Sequence, residues 1–154
     1  MITKKHAAIL ALAACSLLIP CALSAKDKVE RPFKIQGQGT IRVNLIDASY
    51  EATESGRATH TGFFTDEYSG FFNLETFMFA SATGVLTAPN GDRLFWEELP
   101  DQPHVVYMTG GTGRFTGATG TFTYTTTDLN STVDLNSMTI TITYNYSGSG
   151  IITY

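Results

Sequence analysis

The chain has 154 residues, 43% of them hydrophobic and 16% charged, with a net charge of −4. That length suits one domain of ordinary size, and no second is expected; an acidic balance argues against nucleic acid as a partner. Both cysteines, Cys15 and Cys21, lie near the N-terminus, which bears on disulfides below.

Lys4 and Lys5 precede an apolar stretch from Ala7 to Leu23, and the charged run Lys26-Asp27-Lys28-Val29-Glu30-Arg31 follows it. A basic start, an apolar middle and small residues before a charged boundary form the pattern of a secretory signal peptide. Residues 1–25 are read as that peptide, with cleavage after Ser24 or Ala25. Pro20, Ala22, Ser24 and Ala25 fit a cleavage region better than the end of a spanning helix of about 20 residues, so no membrane span is expected after processing. The expected destination is the periplasm or the medium. The alternative is a lipid anchor, because Leu12-Ala13-Ala14-Cys15 resembles a bacterial lipobox, in which Cys15 is acylated. Cleavage near Ala25 leaves no cysteine for a disulfide, a thiolate nucleophile or a thiolate metal site. It also takes Lys4 and Lys5 from the 10 basic residues, leaving 8 against 14 acidic ones and a net charge of −6.

Residues 26–35 are read as a flexible N-terminal segment and residues 36–154 as an all-β domain, because apolar residues recur there with period two and nowhere with helical spacing. Strand runs are read at Ile35 to Leu45, Arg57 to Thr65, Phe71 to Ala80, Ser81 to Ala88, Arg93 to Leu99, Val105 to Thr109, Gly120 to Thr126, Met138 to Tyr146 and Gly150 to Tyr154. Met138, Ile140, Ile142, Tyr144 and Tyr146 line one face of the clearest run, with Thr139, Thr141, Thr143 and Asn145 on the other. Turns are expected at Glu54-Ser55-Gly56, Pro89-Asn90-Gly91-Asp92 and Ser147-Gly148-Ser149-Gly150. The segment Asp128 to Asp134 suggests a calcium loop, but Val133 stands where glycine is required and Thr139 where a bidentate glutamate belongs. It is read as a strand-connecting turn. About eight antiparallel strands predict a single closed barrel, with a β-sandwich as the alternative, because closure removes exposed edges.

The segment Thr109-Gly110-Gly111-Thr112-Gly113-Arg114-Phe115-Thr116-Gly117-Ala118-Thr119-Gly120 has the wrong spacing for a dinucleotide fingerprint, and no Gly-Lys-Ser/Thr follows. It is read as structural, its glycines permitting close backbone approach while Phe115 tucks into the barrel end. With Gly56-Arg57-Ala58-Thr59-His60-Thr61-Gly62 and Asn90-Gly91-Asp92-Arg93-Leu94-Phe95, this run resembles the dirigent and allene oxide cyclase barrel superfamily, in particular its secreted bacterial members. The resemblance spans roughly residues 36 to 152. It marks Gly110, Gly111, Gly113, Arg114, Phe115, Gly117 and Gly120 as a structural loop motif. It implies an eight-stranded antiparallel barrel with a lumen open at one end, a dimer or trimer, and no cofactor. Plant relatives cyclise a fatty-acid epoxide or steer phenolic radical coupling in that lumen, but their catalytic residues have no counterpart motif here.

Four residues stand out as ligand-binding candidates. His60 shares a strand face with Ala58, Gly62 and Phe64 in the Arg57 to Thr65 reading; a hydrogen-bonded structural histidine is the commoner outcome. Trp96 shares a face with Leu94 and Glu98, and a carboxylate beside aromatic rings in a dry lumen is held in its acid form. The plainer reading of Glu98 is a solvated rim. Tyr107 on the next strand has a hydroxyl able to orient a ligand. His104 is read as an exposed loop residue. No metal site is expected, since His60 and His104 are too few and too far apart in sequence. Three functions fit: a binding module for a small apolar or aromatic ligand, a cofactor-free cyclase, isomerase or coupling guide, and an envelope protein with a filled barrel.

Overall fold

The computed structural model describes residues 28–76 and 78–154. The leader, with Cys15 and the Ser24–Ala25 boundary, lies outside the described residues. Among the described residues, no helix is long and apolar enough to cross a membrane.

Eight antiparallel strands follow in chain order: β1 Glu30–Asn44, β2 Ser49–Ala58, β3 Gly62–Asn73, β4 Met78–Thr87, β5 Arg93–Glu98, β6 Val105–Gly111, β7 Thr119–Asp134 and β8 Thr139–Thr153. Each pairs with the next, and β8 pairs back onto β1 from Glu30–Thr153 to Asn44–Thr139, closing the barrel. Alternation drives this closure. Phe33, Ile35, Ile41 and Val43 of β1 and Ile142, Tyr144, Tyr146 and Ile152 of β8 are buried, while the residues between them are mostly exposed.

Strand β1 begins at Glu30, so residues 30–35 belong to the barrel rather than to a flexible segment, and Phe33 is fully buried. Pro32 and the charges of Glu30, Arg31 and Lys34 blur the period there; pairing with β8 supplies what the local pattern lacks. Glu54-Ser55-Gly56 and Ser147-Gly148-Ser149-Gly150 lie inside β2 and β8 and are not turns. Their glycines serve close strand approach: a Cβ at Gly56 would collide with the Gln36 carbonyl oxygen, and one at Gly150 with that of Thr121. The runs Arg57 to Thr65 and Phe71 to Ala80 each straddle a reversal, the first at 59–61 and the second between β3 and β4. Pro89-Asn90-Gly91-Asp92 does form the β4–β5 turn, with Gly91 at φ +85° and its N–H donating to the Ala88 carbonyl at 2.9 Å.

Asp128 to Asp134 is strand, not turn. β7 runs on to Asp134 past a bulge between Thr127 and Asn130, and the reversal falls at 135–138. Strand β6 covers only Gly120–Thr123 of β7, so the rest of β7 is laddered to β8 alone and this side of the hairpin overhangs β6 at one end of the barrel. Water reaches both faces of that part of β7, and no buried face exists to impress a period on the sequence.

The other end is plugged. A short 3-10 turn at Gly113–Phe115 folds inward, the Phe115 N–H donating to the Thr112 carbonyl at 3.1 Å and the Ala118 N–H to the Phe115 carbonyl at 2.9 Å. Gly113 (φ +58°) and Gly117 (φ +69°) bracket this turn in the left-handed region. Phe115 is 0% exposed, its ring 5.4 Å from that of Tyr154.

Candidate functional site

Between the Phe115 plug and the overhanging hairpin lies a cavity of ≈ 410 Å³. Its inner walls are apolar, from Phe33, Ile41, Leu86, Leu94 and Met108 among others, while exposed Leu129 and Val133 of the overhang border its mouth. The filled barrel expected of an envelope scaffold is therefore not what the lumen shows.

A cross-strand rule places the aromatic rings. Inward-facing rings recur directly opposite a glycine of a neighbouring strand: Tyr146 opposite Gly37, Tyr144 opposite Gly39, Tyr50 opposite Gly70, Trp96 and Tyr68 opposite Gly84, Tyr124 opposite Gly148, and Phe33 and Phe122 opposite Gly150. A Cβ at Gly39 would lie 2.6 Å from the Tyr144 hydroxyl, and one at Gly84 would collide with the Trp96 ring. Without side chains at these glycines the rings lie down across the neighbouring strand, and the lumen stays open. Replacing Gly84 with alanine is thus expected to displace the Trp96 indole, destabilise the fold by about 1–3 kcal/mol and shift the emission of the sole tryptophan. Unaltered emission and stability would show that the ring is not seated on this glycine.

Among the described residues, the polar groups lining the cavity are three carboxyls, five tyrosine hydroxyls, the Trp96 N–H, His104, Thr126 and Ser131. Glu54 of β2 and Asp66 of β3 face each other directly across the two strands. The Trp96 Nε1–H donates to both Asp66 carboxylate oxygens, at 3.1 and 2.8 Å. Tyr144 donates its hydroxyl hydrogen to Glu54, and the Tyr68 and Tyr144 hydroxyls are 2.5 Å apart, which makes Tyr68–Tyr144–Glu54 a relay. Glu98 is buried and doubly bonded, accepting from the His104 backbone N–H at 2.7 Å and from the Tyr124 hydroxyl at 3.0 Å. Tyr146 is 7% exposed. Its hydroxyl lies beside Glu54, near enough to act on that carboxyl as a donor does, but no partner among the described residues meets it in aligned geometry.

Burial, reinforced by the charge of Glu54, pushes the Asp66 carboxyl well above the ordinary carboxylate range; the Trp96 hydrogen bond pulls it only partly back. Burial also raises Glu54, against the tyrosine hydroxyls around it, Tyr144 first and then Tyr146 and Tyr68. The hydroxyls of Tyr50, Tyr68, Tyr124, Tyr144 and Tyr146 are all raised, burial again being the main cause, so they stay neutral donors.

Of the four candidates read from sequence, Trp96 and Glu98 line this cavity together. His60 does not. It sits in the β2–β3 turn at the plugged end with φ +75°, its Nε2 2.9 Å from the Pro32 carbonyl oxygen and its ring edge-on to Tyr154. The shared face with Ala58 and Phe64 fails because the chain reverses at His60. Tyr107 alternates with the inward-facing Val106 and Met108, lies outside the cavity lining and donates to Gln102. His104 is exposed, as read, and it also borders the cavity, with its ring 5.1 Å from that of Tyr124. Glu54 and Asp66 escape a reading of the sequence because the one falls in an apparent turn and the other lies just past the end of a run stopped at Thr65. The signal that reveals them is the alternation Tyr50-x-Ala52-x-Glu54 and Phe64-x-Asp66-x-Tyr68, continued one step further. Among the described residues, no group of three histidine, aspartate or glutamate side chains is placed to hold a metal.

No family model matches the chain, and no curated protein matches it. The resemblance to the dirigent and allene oxide cyclase barrels therefore rests on the loop residues alone. Among solved structures the chain is similar to one described as a pyocyanin demethylase, at 15% identity and a TM-score of 0.44, over 75% of this chain and 99% of that one. A likeness that distant transfers no activity, and what the site does has to be argued from its own geometry.

Proposed function

We propose that this is an exported binding protein whose barrel lumen holds one small, largely aromatic molecule. The observation that carries the reading is the ≈ 410 Å³ cavity itself, open at the overhanging hairpin and walled by apolar and aromatic side chains. Cavities of about 300–1,000 Å³ with apolar walls and a few convergent polar groups are the usual form of small-molecule sites. A barrel of about eight strands encloses one such ligand at most.

The test is native mass spectrometry of the purified protein beside its Ile140→Trp variant. Ile140 is half-buried at the lining, so a larger side chain there fills the lumen while the barrel persists. The expected result is a mass increment retained by the parent protein and lost from the variant. A parent protein that never carries or takes up a small aromatic molecule would remove the reading. The same spectrum reports processing: a chain starting at Ala25 or Lys26 fits signal-peptide removal, and a diacylglyceryl mass on Cys15 fits the lipid anchor.

The buried carboxyls favour a cofactor-free acid–base enzyme as the second reading. Asp66, whose carboxyl burial raises well above the ordinary carboxylate range, lines the lumen as a candidate proton donor to a bound molecule. Turnover of the retained molecule, lost in Asp66→Asn, separates this reading from binding alone.

A further inference from the structure

We propose that the lumen selects a flat aromatic ligand carrying a positive charge, seated among the Trp96 and tyrosine rings with its charged edge toward Glu54 and Asp66. This rests on the lumen being the binding site and names the chemical class it takes.

Three observations converge. Among the described residues, the side chains lining the cavity include Glu54, Asp66 and Glu98 but no lysine and no arginine, so a charge introduced there meets acidic counterparts, with His104 at the edge. Glu98 has its oxygens taken by the His104 N–H and the Tyr124 hydroxyl. Glu54 and Asp66, which accept from Tyr144 and from Trp96, are directly opposed across β2 and β3, an arrangement in which ionising both makes like charges repel and a cation between them relieves the repulsion.

The second observation is the Tyr146 hydroxyl, which lines the cavity, is buried and lies beside Glu54, yet meets no partner among the described residues in aligned geometry. Buried polar atoms are normally satisfied, so a hydroxyl that meets its neighbouring carboxylate out of alignment leaves capacity that a ligand N–H or charged edge completes. The third is the wall itself. Trp96 and Tyr68 stand 5.2 Å apart between centroids, and Tyr144 and Tyr146 6.0 Å apart. Such ring faces attract cations as well as flat apolar surface. A carboxylate-bearing ligand of the same shape meets repulsion from Glu54 and Asp66 and finds no basic partner.

Equilibrium dialysis with three isosteric probes tests this: N-methylquinolinium, 1-methylnaphthalene and 1-naphthoate. The cation is expected to bind at least about tenfold more tightly than the neutral probe, and the anion not to bind measurably. In Glu54→Gln and Asp66→Asn the advantage of the cation is expected to fall below about threefold. Circular dichroism confirms that each variant is folded; should either fail to fold, the ratio in the parent protein still decides. Equal binding of cation and neutral probe, or preference for the anion, overturns the charge inference while leaving lumen binding intact. Failure of every probe, with no difference between the parent protein and Ile140→Trp, overturns lumen binding and this inference with it.

Discussion

Replacing Phe115 with alanine is expected to destabilise the protein by about 3–5 kcal/mol, the range for truncating a large aromatic side chain in a core. The side chain is 0% exposed at the plugged end of the barrel, its ring 5.4 Å from Tyr154 and covered by the Arg114 guanidinium at 4.9 Å. The surroundings have little freedom to collapse into the space left behind, because they are strands locked into a closed ladder. The measurement is urea unfolding, in which the midpoint falls with an unaltered slope. Phe71→Ala is the control. Phe71 is 59% exposed on the outside of the same barrel and is expected to stay within about 0.5 kcal/mol of the parent protein. Equal effects from the two would show that the glycine-rich loop does not close the barrel end.

The second large effect is a dependence of stability on pH that Asp66 imposes. Its carboxyl is raised in the folded state, by burial first and by the charge of Glu54 second, so over the interval above its ordinary value of 3.8 the native protein holds a proton that the unfolded chain has lost. Stability must then fall as pH rises through that interval, and ionised Asp66 is a net burden at neutral pH. Each unit by which the carboxyl is raised corresponds to about 1.4 kcal/mol. Asp66→Asn keeps an oxygen to accept the Trp96 N–H but has no charge to bury. It is expected to be more stable than the parent protein at pH 7, an advantage that shrinks as the pH is lowered toward 4. Asp47 and Asp134 are lowered by hydrogen bonds to Ser49 and Ser137, so their contributions run the opposite way, present at neutral pH and lost in acid. Because both proteins share them, the difference between the two curves isolates Asp66. A difference that does not change with pH would mean that Asp66 is ionised as readily in the barrel as in the unfolded chain.

How far the fold can be read from the chain is clear in β8. Ile140, Ile142, Tyr144 and Tyr146 alternate without interruption with threonines and Asn145, and one wet face opposite one buried face is enough to specify a strand. The Pro89 to Asp92 turn is equally legible, since its chemistry is local. Legibility ends where a residue's role depends on its cross-strand partner. Gly56, Gly148 and Gly150 look like reversal points in one dimension; each in fact lets a neighbouring strand come close. Trp96 and Glu98 are visible as one face of one strand, because faces follow from period two alone.

The chain on its own therefore determined the class of architecture. Period-two patterning and local turn chemistry demand antiparallel strands, and strands in that number, each with one apolar face, favour closure. What only the tertiary structure decided is the register, and with it the site. Opposing Glu54 to Asp66, setting rings over Gly37, Gly39, Gly70 and Gly84, and turning His60 away from the lumen all follow from which residue of one strand faces which residue of the next. That choice is made by the whole closed ladder at once. A slip of one residue in any strand would turn its apolar set outward, and no single segment contains the information that forbids it.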